Sequence, residues 1–291
     1  MECSLWEAKV NPSSFCVVYL HGNSSSRFES VQLFKFLSKF DISLCSFDFS
    51  GCGLSEGEYI SLGWHEKDDV DFVVQYLLKE RNIKKIALWG RSMGSSAAIL
   101  YSSIIKEARI SCLVFDSPFC SLKLLSEDIA RRNSKAPKCI MRLIWIFLKR
   151  KILKKNQFNI NDISPISHIQ NIQIPAFFIS AKSDRIIDPA QMNRIYNEFP
   201  NKKIIEYVEG DHNSPRPEAS LMKCVMFINA IFLKNDWNEI DLIQMPNQIE
   251  QKMNGDISGP KKKTPILMIQ PKQVENDEKM ENMENCDFEK K

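Results

Sequence analysis

Six short runs, each apolar almost from end to end, constrain the fold more than any other feature of this chain. They are 15–20 (FCVVYL), 43–47 (SLCSF), 85–89 (KIALW), 110–116 (ISCLVFD), 176–180 (AFFIS) and 203–208 (KIIEYV). A strand with one wet face alternates apolar and polar residues; a run without that alternation is covered on both faces. Helical patterns lie between the runs. Residues 66–81 place Val70, Val73, Val74, Leu77 and Leu78 on one face, 93–105 is rich in small residues, Asp188-Pro189 opens a helix to about 199, and 217–234 is the last. This alternation predicts an α/β fold, a mostly parallel sheet with helices on both faces. Only about a dozen residues precede the first clear run, so any antiparallel opening is absent or reduced to one strand, expected around 5–10. Residues 120–168 hold two helical patterns with no strand between them and read as a short helical insertion.

The length of 291 residues fits one folded domain of roughly 200–250 residues plus a tail. We place the domain at 1–234. The tail, 235–291, is rich in Asn, Gln, Glu and Lys and has the composition of a disordered segment. No stretch of about 18 uncharged apolar residues is present, so no spanning helix is expected. The start, MECSLWEAKV, lacks the basic and apolar regions of a secretory signal. Nine cysteines, an odd number with no Cys-x-x-Cys pair and several members inside apolar runs, point to reduced, buried thiols. They argue for a cytoplasmic setting and against a disulfide framework or zinc site. Cys3 is a weak candidate for acylation.

The run KIALW continues into GRSMG at 90–94 and then into SSAAIL. That is strand, sharp turn, helix, the context a nucleophilic serine needs. Gly90 and Gly94 flank Ser92 at two residues' distance, and Ser95, Ser96, Ala97 and Ala98 let the following helix lie close to the sheet. A serine hydroxyl is a weak nucleophile and requires a base and a group to orient it. Of the four histidines, His21, His65, His168 and His212, the last lies in EGDHN after the run KIIEYV, where a loop opens at the same sheet edge. Asp184, just past AFFIS, is the candidate orienting carboxylate. Asp188 is a rival better placed as a helix N-cap, and Asp211, adjacent to the histidine, points elsewhere. The backbone N–H of Met93 is one candidate oxyanion donor and that of Asn23, in the loop His21-Gly22-Asn23-Ser24, the other. His21 reads as a brace for that loop.

Four elements together resemble the α/β-hydrolase superfamily, in its serine aminopeptidase-like, alpha/beta hydrolase domain-containing branch. They are YLHGNSSS at 19–26, FDFSGCGLSEG at 47–57, GRSMG at 90–94, and SAKSD at 180–184 with EGDHNSPRP at 209–217. The order Ser92, Asp184, His212 matches the acid-before-histidine order of that superfamily. The resemblance implies a triad of these three residues, oxyanion donors at Asn23 and Met93, and no cofactor or metal. It makes Asp48, in the Asp-x-x-Gly-x-Gly turn, structural. SEGEYISL follows those glycines where a dinucleotide site would need a helix to start.

The insertion departs from the pattern. From 129 to 161 there is no Asp or Glu, and ten residues are basic: Arg131, Arg132, Lys135, Lys138, Arg142, Lys149, Arg150, Lys151, Lys154 and Lys155. One reading is a packed cap with solvated charges. Another is a lid that meets acyl chains with its apolar residues and anionic membrane headgroups with its cations, a peripheral membrane contact. Nucleic acid is not expected, because no recognition motif accompanies the charge. The expected function is a serine hydrolase cleaving an ester, thioester or amide, with a lipid-like or acylated small-molecule substrate favoured. The alternatives are an aminopeptidase, whose substrate ammonium would need Glu127, Asp128 or Asp162, and a non-catalytic scaffold that docks through the basic cap.

Overall fold

The computed structural model describes residues 1–8, 14–133 and 138–234. The proposed tail, 235–291, lies outside the described residues. All six apolar runs form strands: β2 (Phe15–Leu20), β3 (Ser43–Phe47), β4 (Lys85–Arg91), β5 (Ile110–Asp116), β6 (Ala176–Ala181) and β7 (Lys203–Val208). With β1 (Cys3–Trp6) they make one seven-stranded sheet in the order β1-β3-β2-β4-β5-β6-β7. Every neighbouring pair is parallel except β1 with β3.

The edge strand lies earlier than the expected span of 5–10. Cys3 pairs with Phe47 and Leu5 with Cys45, and both side chains turn into the core. By Ala8 the backbone has left the ladder, its N–H donating to Ser43 Oγ at 3.1 Å. Cys3 is therefore buried, and desolvation pushes its thiol up to about 12. A buried, un-ionised thiol in a ladder is a core residue, which removes Cys3 as an acylation site. Cys16, Cys45, Cys52, Cys112, Cys120 and Cys224 are likewise buried free thiols; Cys139 is exposed.

Alternate strand residues feed two apolar layers. Cys16, Val18, Leu20, Ile86, Leu88, Leu113 and Phe115 pack under α2 (Glu66–Glu80), α3 (Met93–Ile104) and α7 (Pro189–Glu198). Val17, Tyr19, Ala87, Trp89, Cys112 and Val114 pack under α1 (Val31–Leu37) and α8 (Glu218–Lys234). Helices thus cover both faces, which is why the strands carry no polar alternation.

The strand order also places a crevice. From β2 the chain moves to β3 on one side, then crosses back to β4 on the other. The helix after β2 lies on one face and the helix after β4 on the opposite face. Such a reversal opens a cleft beyond the carboxyl ends of the two strands, the usual ligand position in open α/β sheets. The loop 21–26 follows β2 there, and Ser92 follows β4.

Between β5 and β6 come α4 (Leu122–Asn133), α5 (Lys138–Asn156) and the short α6 (Pro165–His168). The α4–α5 insertion sits on a third apolar cluster, Phe119, Phe158, Ile160, Ile163 and Ile187, with Leu122, Leu125, Trp145 and Ile152 packed against it.

Candidate active site

Ser92 is the hinge between β4 and α3, with φ 52° and ψ −112°. A non-glycine residue adopts positive φ at a cost of order 1–3 kcal/mol, which its surroundings must hold in place. Here the Ser92 N–H donates to the Asp116 carbonyl at 2.8 Å, and Ser95 Oγ donates to the carbonyls of Gly90 (2.6 Å) and Asp116 (3.0 Å). The flanking glycines are required by space. A Cβ on Gly94 would stand 1.9 Å from the Leu20 carbonyl oxygen, and one on Gly90 2.4 Å from the Gly94 backbone. Gly94→Ala must push α3 off β2. We expect it to cost about 1–3 kcal/mol or more, read as a lowered unfolding midpoint, with loss of activity.

Three distant side chains converge at this turn. The structure brings His212 Nε2 to 3.2 Å from Ser92 Oγ, and His212 Nδ1 to 2.7 Å from Asp184 Oδ2. Asp184 is held by its own loop, Oδ1 accepting from the N–H groups of Ile186 (2.9 Å) and Ile187 (2.8 Å). The acid and histidine loops continue the β6–β7 pairing, as Lys182 N–H reaches the Val208 carbonyl and Ser183 N–H that of Gly210. With Nδ1–H donating to the carboxylate, Nε2 presents its lone pair to the hydroxyl. The arrangement can take the proton of Ser92.

The rival acids are engaged elsewhere. Asp188 caps α7, accepting from Ala190 N–H at 3.0 Å. Asp211 folds into its own turn, accepting from Asn213 N–H, Ser214 N–H and Ser214 Oγ, and the Ser214 hydroxyl first among these draws its carboxyl below the usual range.

Across the cleft, the loop after β2 approaches closely. A Cβ on Gly22 would stand 3.8 Å from Ser92 Cβ. The turn is closed by Ser25 N–H on the Gly22 carbonyl, with Ser24 at φ 61°. Gly22 therefore sits beside the serine, and Asn23 follows it in the same turn. Met93 is the first residue of α3, so its N–H has no partner within the helix and lies at the positive end of the helix dipole. His21 is fully buried. Its Nε2 accepts from Phe49 N–H (3.1 Å), which leaves Nδ1–H to donate to the Gly22 carbonyl (2.7 Å). It braces the loop. Asp48 accepts from the backbone N–H groups of Arg27 (2.7 Å) and Leu54 (3.0 Å) and pairs with the Arg27 guanidinium. Its carboxyl fills the space a Cβ on Gly53 would take.

Two arginines at the site were not singled out from the sequence. Arg91 pairs with Glu29, whose other oxygen accepts from Gly22 N–H, and donates to the His212 carbonyl at 2.7 Å. Arg216 is buried, forks onto Asp116 at 2.8–3.1 Å, and donates to the carbonyls of Asp211 (3.2 Å) and Ser214 (3.0 Å). Together they fasten the histidine loop to the ends of β4 and β5. Their only sequence signal is position: Arg91 precedes Ser92, and Arg216 lies between Pro215 and Pro217 just after His212.

A family model described as serine aminopeptidase, S33, matches residues 11–168, more than half the chain. The chain belongs to the serine aminopeptidase S33 family. With its seven-stranded sheet, this S33 chain is a member of the α/β-hydrolase superfamily. Among curated relatives, it is 25% identical over 199 residues to the uncharacterized protein YqkD of Bacillus subtilis, covering 67% of this chain and 64% of that one. It is 27% identical over 196 residues to the lysophosphatidylserine lipase ABHD12 of Danio rerio, covering 65% and 48%. The match thus spans about half to two thirds of those relatives' length. Among solved structures, the Pyrococcus furiosus esterase Pf2001 is similar with a TM-score of 0.54 at 22% identity, covering 87% of this chain and 90% of that one. The Paleococcus ferrophilus monoacylglycerol lipase is similar with a TM-score of 0.56 at 18% identity, covering 79% and 99%. At those identities the structures speak for the S33 chain's fold alone.

Proposed function

We propose that the protein is a serine hydrolase that cleaves a carboxylic ester of an acylated amphiphile through an acyl-enzyme. The observation that carries this reading is the unbroken chain from Ser92 Oγ through His212 to Asp184 on a positive-φ turn. His212 takes the Ser92 proton as Oγ attacks the carbonyl carbon. The N–H groups of Met93 and Asn23 hold the oxyanion. His212 then protonates the leaving alcohol and later takes a proton from the water that frees the acid. Asp184 keeps the imidazole in the required tautomer.

Three things support an acylated substrate: the lipase name among the curated relatives, the apolar residues of the cap, and the engagement of Asp128, one of the three acids an ammonium could use. The aminopeptidase reading needs a carboxylate free to hold an ammonium. Asp128 is bound by Arg131 (2.6 Å) and Gln191 (2.8 Å). The test is a panel of p-nitrophenyl butyrate, a lysophospholipid, an acyl-thioester and leucine p-nitroanilide. We expect turnover of the two esters to exceed that of the anilide at least tenfold. Preferred cleavage of the anilide would overturn the substrate class while leaving the serine mechanism standing.

A further inference from the structure

The cap helix α5 carries one stripe that changes character along its length. Ile140, Leu143, Ile144 and Phe147 recur at helical spacing, and the same stripe continues into Arg150, Lys151 and Lys154. The opposite side is the packed one: Trp145 and Ile152 lie on the cluster around Phe119 and Phe158. The stripe itself faces outward. Leu143 is 66% exposed and Phe147 65%, with Ile140 and Ile144 near half. Arg150, Lys151 and Lys154 are also exposed, and among the described residues none of them forms an ion pair. Lys155 is the exception on this turn, its ammonium lying over the Tyr59 ring at 4.7 Å.

We infer that α5 docks obliquely on an anionic lipid surface, its Ile140–Phe147 end dipping among the acyl chains and its Arg150–Lys154 end resting on the headgroups. Large apolar side chains left in water along one stripe call for a cover. The cover is selected by charge: no Asp or Glu occurs from 129 to 161, so all the charge that α5 offers beside its exposed apolar residues is cationic. An acidic protein would match only the cationic half, whereas an anionic bilayer matches both. The two halves are arranged end to end, at a rise of about 1.5 Å per residue. They therefore meet different depths only if the helix is tilted. The helix does not cross: no helix among the described residues is long and apolar enough to span a membrane.

The test is flotation of the full chain with vesicles of phosphatidylcholine alone and of phosphatidylcholine with phosphatidylglycerol. It reads binding, so its outcome is independent of the catalytic reading. We expect flotation with the anionic vesicles only, weakened by salt. Arg150→Glu/Lys151→Glu/Lys154→Glu lowers the partition coefficient roughly 100-fold or more, and Leu143→Ser/Phe147→Ser about 10-fold per side chain. Both variants change exposed residues, and unaltered unfolding midpoints establish that they are folded. Phe147→Trp gains quenching by acyl-brominated lipid, and Lys154→Trp does not. No flotation with anionic vesicles overturns the inference, as does equal flotation with neutral ones. A dimer that Leu143→Ser/Phe147→Ser splits, with no flotation, assigns the stripe to a second copy. Equal quenching at both positions overturns the tilt.

Discussion

Ser92→Ala lowers kcat on a soluble ester by about 10⁶-fold, His212→Ala lowers it by a similar factor, and the double variant is no slower than either. The non-additivity is the informative part. If Oγ attacks only while His212 Nε2 takes its proton, removing either group removes the same step. The 3.2 Å contact between them is the geometry that requires this. Asp184 acts one bond further away, so Asp184→Asn lowers kcat less, by about 10⁴-fold, through the wrong imidazole tautomer. Steady-state kinetics on p-nitrophenyl butyrate measure all four variants. Independent effects that multiply in the double variant would show that the two residues do not act as a unit.

Arg216→Ala is the change expected to cost the fold most among residues that touch no substrate. Arg216 and Asp116 are both nearly fully buried and pair through a fork. Deleting the guanidinium leaves the Asp116 carboxylate in the interior with the Ser117 hydroxyl as its remaining side-chain hydrogen bond and the Arg91 charge nearby, and leaves the Asp211 and Ser214 carbonyls without their donor. Breaking such a pair from one side costs about 3–5 kcal/mol. For a domain of this size that lowers the unfolding midpoint by about 10 °C. Arg216→Lys keeps the charge and loses the fork, and falls between the two. Asp116→Ala/Arg216→Ala recovers part of the loss, because no lone charge remains. Thermal unfolding of the four proteins reads the series. A midpoint unchanged in Arg216→Ala would mean that the pair does not anchor the histidine loop.

The sheet was legible because its inner strands are buried on both faces, while the edge strand β7 is half-buried but still apolar at most positions. FCVVYL, ISCLVFD and KIIEYV end where the apolar runs end. The meeting of Ser92, Asp184 and His212 was legible for a related reason. Each follows a parallel strand, and parallel strands deliver their following loops to one rim. The edge strand was misplaced because CSLW is four residues long and lies on a ladder edge, too short for any periodicity to show. Arg91 and Arg216 were missed because a charged side chain in a loop reads as solvated. Only the fold reveals that Arg216 meets a carboxylate one hundred positions earlier in the chain. The cap was legible as an apolar and basic insertion, but which side of α5 faces water follows from Trp145 and Ile152 docking on the third cluster.

The central claim is that Ser92 is an activated nucleophile, and covalent capture measures it most directly. Incubation with a fluorophosphonate followed by intact-mass analysis and peptide mapping is expected to give one phosphonyl adduct, on Ser92, formed at least 10³-fold more slowly in His212→Ala. The folded wild-type chain remaining unlabelled, or labelled on another serine such as Ser95, would contradict the account.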